Sequence, residues 1–337
     1  MESLDLTVLA DALVWRRAGH GVTLVTVAQT WGSAPRPPGA LLAIRDDGAV
    51  SGSVSGGCVE DDLIARTRAA FGSVGEGARG QDKPSLIVYG VDQEEAARFG
   101  LPCGGTLRLV QEPLRETDWI AQLLAHTAAH RLVARTLTLA TGAVQLSDAV
   151  RGQQMQFDGT TLTTVFGPKW RLLLIGAGQL SQAVAQIAVM LDFEVLVCDP
   201  RDEYAPAAPD AAATHFERVA GMPDDVVREL VPDAHTAIVA LTHDPKLDDM
   251  ALLEALPSDA FYVGALGSRR NQEVRKQRLA EHFDLSAQQL ARLHGPVGLA
   301  LGAKTPAEIA VCIMAEIIQV RNGVAPLAAS AAPGIQS

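Results

Sequence analysis

The sequence predicts an α/β protein of two domains: an α+β domain over residues 1–168, a Rossmann-like domain with a parallel sheet over 169–322, and a flexible tail over 323–337. Three observations predict this. First, Leu172-Leu173-Leu174-Ile175 is an apolar run of strand length. It is followed at once by Gly176-Ala177-Gly178-Gln179-Leu180-Ser181, a helical stretch over 183–191, and a second apolar run over 195–198 closed by Asp199. Strand, glycine turn, helix, strand, then an acid about 20 residues after the glycines is the order of a nucleotide-binding unit. Second, the runs 40–44 and 49–53 flank Asp46-Asp47-Gly48, an antiparallel hairpin signal, because Asp-Gly accepts positive φ at little cost. Third, the pattern changes at Gly167-Pro168-Lys169 to alternating strand and helix, which marks the domain boundary.

Taken in order, residues 4–18 read as an amphipathic helix with Leu6, Leu9, Ala10, Leu13 and Val14 on one face, and 22–27 as a strand. Residues 30–39 carry too much Pro and Gly for regular structure. Ser55-Gly56-Gly57-Cys58-Val59-Glu60 opens a helix that runs to about Phe71. A strand over 86–89 follows, and Phe99-Gly100-Leu101-Pro102-Cys103-Gly104-Gly105-Thr106 leads into another over 107–111. Then come a helix over 118–129, a strand over 132–139, and short antiparallel strands near 143–146 and 162–166. In the second half, 201–209 reads as a loop and 237–241 as a buried strand ending at Thr242-His243-Asp244-Pro245. A helix spans 247–256, and a strand over 261–265 ends at Gly267-Ser268-Arg269-Arg270. Helices over 271–282 and 286–290 precede a glycine-rich loop over 294–299. Thr305-Pro306-Ala307-Glu308 then forms a capping box, with proline at the first position of a helix reaching about Val320. No internal repeat is present.

Composition narrows the function classes. A net charge of −11 and a pI near 5.2 argue against non-specific nucleic-acid binding and against an anionic membrane surface. No signal peptide and no apolar stretch of membrane-spanning length are read. The four cysteines, Cys58, Cys103, Cys198 and Cys312, form no CxxC, which suits a reducing cytoplasm and not a disulfide framework or a structural zinc site.

Two regions offer chemistry. In the second half, strand ends carrying Gly176 to Ser181, His243-Asp244 and Gly267 to Arg270 are expected to converge, since ligands bind beyond the carboxyl ends of an open parallel sheet. Gly176 permits the tight turn. Gly178 lets a diphosphate approach the helix N-terminus, with Gln179 and Ser181 in the same turn. Asp199 offers acceptors to a ribose, Arg269 or Arg270 positive charge, and His243 a donor or acceptor. Ser181 replaces the third glycine of the usual pattern and weakens the expectation of ordinary NAD(P) binding. The plain alternatives are a solvated helix start for the arginines and a loop histidine for His243. In the first half, Gly56-Gly57-Cys58 stands before a helix and Cys103-Gly104-Gly105 before a strand. A thiol at a helix N-terminus is favoured as thiolate, and bare glycine N–H groups form an anion-binding concavity. Two such thiols suit a soft metal or a sulfur-bearing ligand; the alternative is that each is a small buried filler, the reading preferred for Cys198 and Cys312. Glu60 and Glu308, in first turns of helices, read as dipole compensation. No nucleophile elbow, HExxH or P-loop is present.

These segments together resemble a known family. Residues 32–39, 52–60 and 100–105 resemble the hallmark segments of the XdhC/CoxI N-terminal domain. The Gly176–Ser181 unit, residues 264–270, and 295–299 with 305–310 resemble its C-terminal domain, so the likeness covers about residues 6–320. The resemblance implies a cytoplasmic, non-enzymatic maturation factor for molybdenum hydroxylases of the xanthine dehydrogenase or CO dehydrogenase type. Such a factor binds the molybdenum cofactor, as molybdopterin or its dinucleotide form, protects it during sulfuration and inserts it into the apoenzyme. It implies a cysteine desulfurase and the target dehydrogenase as partners, and a homodimer. The cofactor phosphate then falls to the Gly176–Ser181 turn or to Arg269, and molybdenum to Cys58 or Cys103. The rival from another class is an NAD(P)-dependent oxidoreductase with Asp199 on the ribose and His243 as acid–base group.

Overall fold

The computed structural model describes residues 3–31, 36–57, 59–72, 83–90, 106–201, 204 and 216–325. The chain divides into two compact units, Met1–Pro168 and Lys169–Ser337.

In the first unit, helix α1 (Ser3–Arg17) leads into strands β1 (Val22–Trp31), β2 (Leu41–Arg45) and β3 (Val50–Gly52), then helix α2 (Glu60–Gly72) and strands β4 (Ser85–Tyr89) and β5 (Thr106–Pro113). The five strands form one antiparallel sheet in the order β3-β2-β1-β5-β4. The hairpin β2–β3 turns at Gly48, whose φ is +91°. Strand β1 runs past the expected end at Val27, because a bulge between Val27 and Gln29 re-registers it against β5. Helix α1 buries Val8, Leu9, Ala12 and Leu13. Its inward face is therefore turned from the expected one, and Val14 is 62% exposed. Helix α3 (Asp118–Ala128) precedes a second antiparallel sheet of β6 (Val133–Thr138), β7 (Val144–Asp148), β8 (Gln156–Phe157) and β9 (Thr161–Phe166), ordered β7-β6-β9-β8. The short strand β8 is not among the elements expected from the sequence.

In the second unit, β10 (Arg171–Ile175), helix α4 (Gln179–Met190), β11 (Glu194–Cys198), β12 (Glu217–Val219), α5 (Pro223–Leu230), β13 (Thr236–Ala240), α6 (Pro245–Ala255), β14 (Tyr262–Ala265), α7 (Arg269–Phe283), α8 (Ala287–Ala291), β15 (Leu293–His294) and α9 (Pro306–Arg321) follow one another. The sheet is parallel throughout, in the order β12-β11-β10-β13-β14-β15. Both faces are covered, so the strands read as unbroken apolar runs. Leu172 and Leu174 pack on one face against Val184, Ala185 and Ala188 of α4 and Ile313 and Ile317 of α9. Leu173 and Ile175 pack on the other against Val226, Leu252 and Leu279. Each such fully buried leucine contributes about 1.5–3 kcal/mol. The order changes direction between β10 and β13, which sets a crevice at their carboxyl ends.

Candidate functional site

Strands β10, β13 and β14 end side by side, because Ile175 is in register with Ala240 and Ala240 with Ala265. The segments after them therefore lie along one edge of the sheet: Gly176 to Ser181, Thr242-His243-Asp244, and Gly267 to Arg270. Gly176 has φ +108°, and a Cβ there would stand 3.1 Å from backbone atoms of both Leu241 and Thr242. Its N–H donates to the Cys198 carbonyl at 2.7 Å. Only glycine lets the chain pass between these neighbours. Gly178 differs. It has φ −71°, and a Cβ would meet only the Tyr204 ring at 4.0 Å. It is the N-cap of α4, offers no side-chain cap, and the first turn of α4, opened by Gln179, holds no acid. That end of α4 thus keeps its partial positive charge and space for an anion. Ser181 is 1% exposed, and its Oγ has no hydrogen-bond partner.

The Asp199 side chain is wholly enclosed, and its carboxylate is already used. Oδ2 accepts from Ala177 N and Arg201 Nη2, both at 2.8 Å, and Oδ1 accepts from Arg201 N at 3.1 Å and Arg201 Nε at 2.9 Å. These four bonds fill the acceptor positions of a carboxylate. Burial alone would raise its pKa, but the Arg201 and Ala177 donors outweigh it and hold the group below the ordinary value. Asp199 therefore fastens the glycine turn to the end of β11, and the Arg201 guanidinium stacks at 4.2 Å over Tyr204.

His243 is exposed, with φ +63°. Asp244 beside it caps α6 by accepting from Lys246 N at 2.8 Å. Gly267 has φ +147°, and Ser268 caps α7 by accepting from Asn271 N at 3.2 Å. Arg269 and Arg270 are exposed in the first turn of α7 and have no ion-pair partner among the described residues. A buried network that sequence reasoning missed holds these segments. Asp248 accepts from Thr242 N at 3.1 Å and Thr242 Oγ1 at 2.6 Å. Arg275 donates to Asp248 at 3.0 Å, to Asp249 at 3.1 Å and to the Leu266 carbonyl at 3.2 Å. One guanidinium thus ties the segment after β13 to the segment after β14. His294, expected to hold its loop, meets Glu316 Oε1 at 3.2 Å, and Glu316 Oε2 accepts from Tyr262 OH at 2.5 Å and Gly298 N at 2.7 Å.

In the first unit, Gly56 and Gly57 have φ +79° and +115° and are exposed. Their loop is organised by Glu60, whose carboxylate accepts from Ser53 Oγ at 2.7 Å, Val54 N at 3.1 Å, Ser55 N at 2.9 Å, Gly57 N at 3.0 Å and Ser55 Oγ. The concavity expected at these glycines is filled by the chain's own carboxylate. Glu60 is thus a loop clamp as well as a first-turn acid, and α2 begins at Glu60 itself. Cys58, Cys103, Gly104 and Gly105, and the tail from residue 326, lie outside the described residues. Among the described residues no group of three or more His, Cys, Asp or Glu side chains could hold a metal. Cys198 and Cys312 are buried, and burial followed by the nearby Asp199 charge pushes the Cys198 thiol up to about 11. No helix among the described residues is long and apolar enough to cross a membrane.

The second unit is thus a doubly wound domain with a phosphate-type glycine turn, joined in one chain to a mixed α+β unit. The model of the XdhC Rossmann domain matches residues 172–317, and that of the XdhC and CoxI family matches residues 15–79. Models of this one family thus match in both halves of the chain. It is 29% identical over 318 residues to the molybdenum cofactor insertion chaperone PaoD of Escherichia coli, covering 94% of this chain and 88% of the relative. It is 29% identical over 329 residues to a protein of Bacillus subtilis named as a probable xanthine dehydrogenase subunit, covering 90% and 94%. A crystal structure described as a xanthine dehydrogenase from Bacillus halodurans superposes with a TM-score of 0.73 over 98% of both chains at 22% identity, which shows the shared fold.

Proposed function

We propose that this chain binds the molybdenum cofactor, protects it while its terminal sulfur is installed, and inserts it into an apoenzyme of the xanthine dehydrogenase or CO dehydrogenase type. The observation that carries the reading is the match of this family's models in both halves of the chain, beside relatives of similar length, one of them named as an insertion chaperone for this cofactor. The fit of the crevice to the cofactor's phosphate supports it. Gly178 and Gln179 open an uncapped helix end, Ser181 keeps an unpaired buried hydroxyl, and Arg269 supplies an exposed cation two strands along the sheet, after β14. Gly176, Gly267 and Ser268 shape the backbone there, and His243 offers an exposed ring nitrogen to the ligand.

Cys58 and Cys103 are the soft donors the sequence offers to molybdenum, each beside glycines (Gly56 and Gly57, Gly104 and Gly105) that carry no side chain. When bound, the cofactor supplies the redox metal that the target enzyme uses. The chain's own groups bind and orient it. This is carriage and not catalysis, carried out in the cytoplasm as a homodimer, with a cysteine desulfurase and the apoenzyme as successive partners. The engagement of all four Asp199 acceptor positions by Ala177 and Arg201 favours a phosphate-ended pterin over a nicotinamide dinucleotide, and so counts against the oxidoreductase reading.

The test is transfer. Protein purified from a cofactor-producing cell is mixed with a demolybdo dehydrogenase, and recovered activity is followed with and without cyanide removal of the terminal sulfur. Activation that is lost in Cys58→Ala and Cys103→Ala, and weakened about tenfold or more in Arg269→Ala, agrees with the proposal. Full activation by all three variants, or substrate-linked oxidation of NAD(P)H by the protein alone, contradicts it.

A further inference from the structure

The first unit holds a groove that the phosphate crevice does not use. It is an open groove of about 490 Å³, lined by Gln29, Thr30 and Trp31 at the end of β1 and by Met155, Gln156 and Phe157 around β8. That volume falls within the range of small-molecule sites. Trp31 is 46% exposed, unusual for so large an apolar side chain, and it is held in place by the Arg108 guanidinium 4.8 Å from its ring centroid. Arg108 also donates to Gln29 Oε1 at 3.1 Å, which orients that amide and leaves its NH2 group unused. The Gln156 amide has no hydrogen-bond partner among the described residues. The groove therefore combines an aromatic face, a second ring in Phe157, an adaptable thioether, and two amides that can each give and accept a hydrogen bond.

We infer that this groove binds a planar bicyclic heterocycle bearing a lactam and an exocyclic amine, stacked on Trp31 and read along its edge by Gln29 and Gln156. Pterins and guanine share that chemistry. The choice of a pterin rests on the cofactor reading above; the groove itself does not. A flat ring replaces water over the indole, while the lactam and amine meet acceptors and donors that a purely apolar ligand would leave unpaired. The lining itself carries no charged residue, and the adjacent Arg108 is engaged by Trp31 and Gln29, so the groove offers no carboxylate to a strongly cationic ligand.

The experiment titrates the full chain with biopterin and, separately, with guanosine, following quenching of tryptophan emission and ligand anisotropy. It uses the wild type, Trp31→Leu and Gln156→Ala, with circular dichroism to show that the variants stay folded. Saturable binding that weakens about tenfold or more in either variant supports the groove, as expected for loss of one stacked ring or one edge contact. Preference for biopterin identifies a pterin site, and preference for guanosine identifies a nucleobase site. Binding of equal strength in all three proteins overturns the groove and leaves the cofactor reading standing. No binding of either ligand by the wild type overturns it as well, whatever the outcome of the transfer test.

Discussion

Replacing Glu60 by glutamine tests how the Gly56–Gly57 loop is held. The carboxylate accepts five hydrogen bonds from Ser53, Val54, Ser55 and Gly57. Burial opposes its charge, but the Ser55 and Ser53 hydroxyls and the backbone N–H groups outweigh burial and bring its pKa from 4.5 to about 2. A gap of about 2.5 pKa units corresponds to ~3 kcal/mol, which partial solvent screening reduces to ~2 kcal/mol. Because the folded pKa is the lower one, this contribution is complete above pH 4.5 and fades as pH falls toward 2. Glu60→Gln keeps the shape but removes the charge and turns an NH2 group toward donors. Urea unfolding followed by tryptophan emission reports mainly the first unit, which holds Trp15, Trp31 and Trp119 against Trp170 in the second. The variant is expected to lose ~2 kcal/mol at pH 7, with the difference from wild type shrinking steadily below pH 4.5. Equal stability at pH 7, or a difference that does not change by pH 3, would refute the charged clamp.

Four further outcomes are expected. Gly176→Ala forces a side chain into φ +108° against the Leu241 and Thr242 backbone, and should cost about 2–3 kcal/mol in thermal or urea unfolding. Gly178→Ala, with open space and φ −71°, should cost no more than about 1 kcal/mol, the difference between glycine and alanine at a helix N-cap, while lowering phosphate-ligand affinity. Glu112→Ala strands the buried Arg135 that it holds at 2.6 Å, and should destabilise the protein by about 3–5 kcal/mol, with Glu112→Leu/Arg135→Met recovering most of that loss. Finally, Cys198, with its thiol pushed up to about 11, should stay unlabelled by iodoacetamide at pH 8 in native protein and react only after unfolding.

The parts of the fold legible in the sequence are those whose cause is local. Leu172 to Ile175 is apolar at every position because both faces of β10 are covered, and Gly176 is glycine because a backbone passes within van der Waals contact. The buried face of α1 departs from the apolar stripe because Val14 is apolar yet points to solvent; a lone exposed valine is ordinary. Strand β12 and helix α5 escape the sequence pattern, although Pro223 followed by Asp224 and Asp225 is a helix-start signal. The roles of Asp199 and Glu60 depend on which N–H groups the folded chain brings to them, and spacing alone does not reveal it. The same holds for Arg275, which is distant in sequence from the adjacent Asp248 and Asp249 that it pairs with.

The most direct measurement of the central claim is co-purification. The wild type and Gly178→Ala are expressed in a cell that makes molybdenum cofactor, desalted, and assayed for molybdenum and for oxidised-pterin fluorescence. Carriage predicts near-stoichiometric molybdenum and pterin on the wild type and a clear loss on the variant, whose fold is checked by circular dichroism. A wild type carrying no pterin, with a nicotinamide nucleotide bound instead, would contradict it.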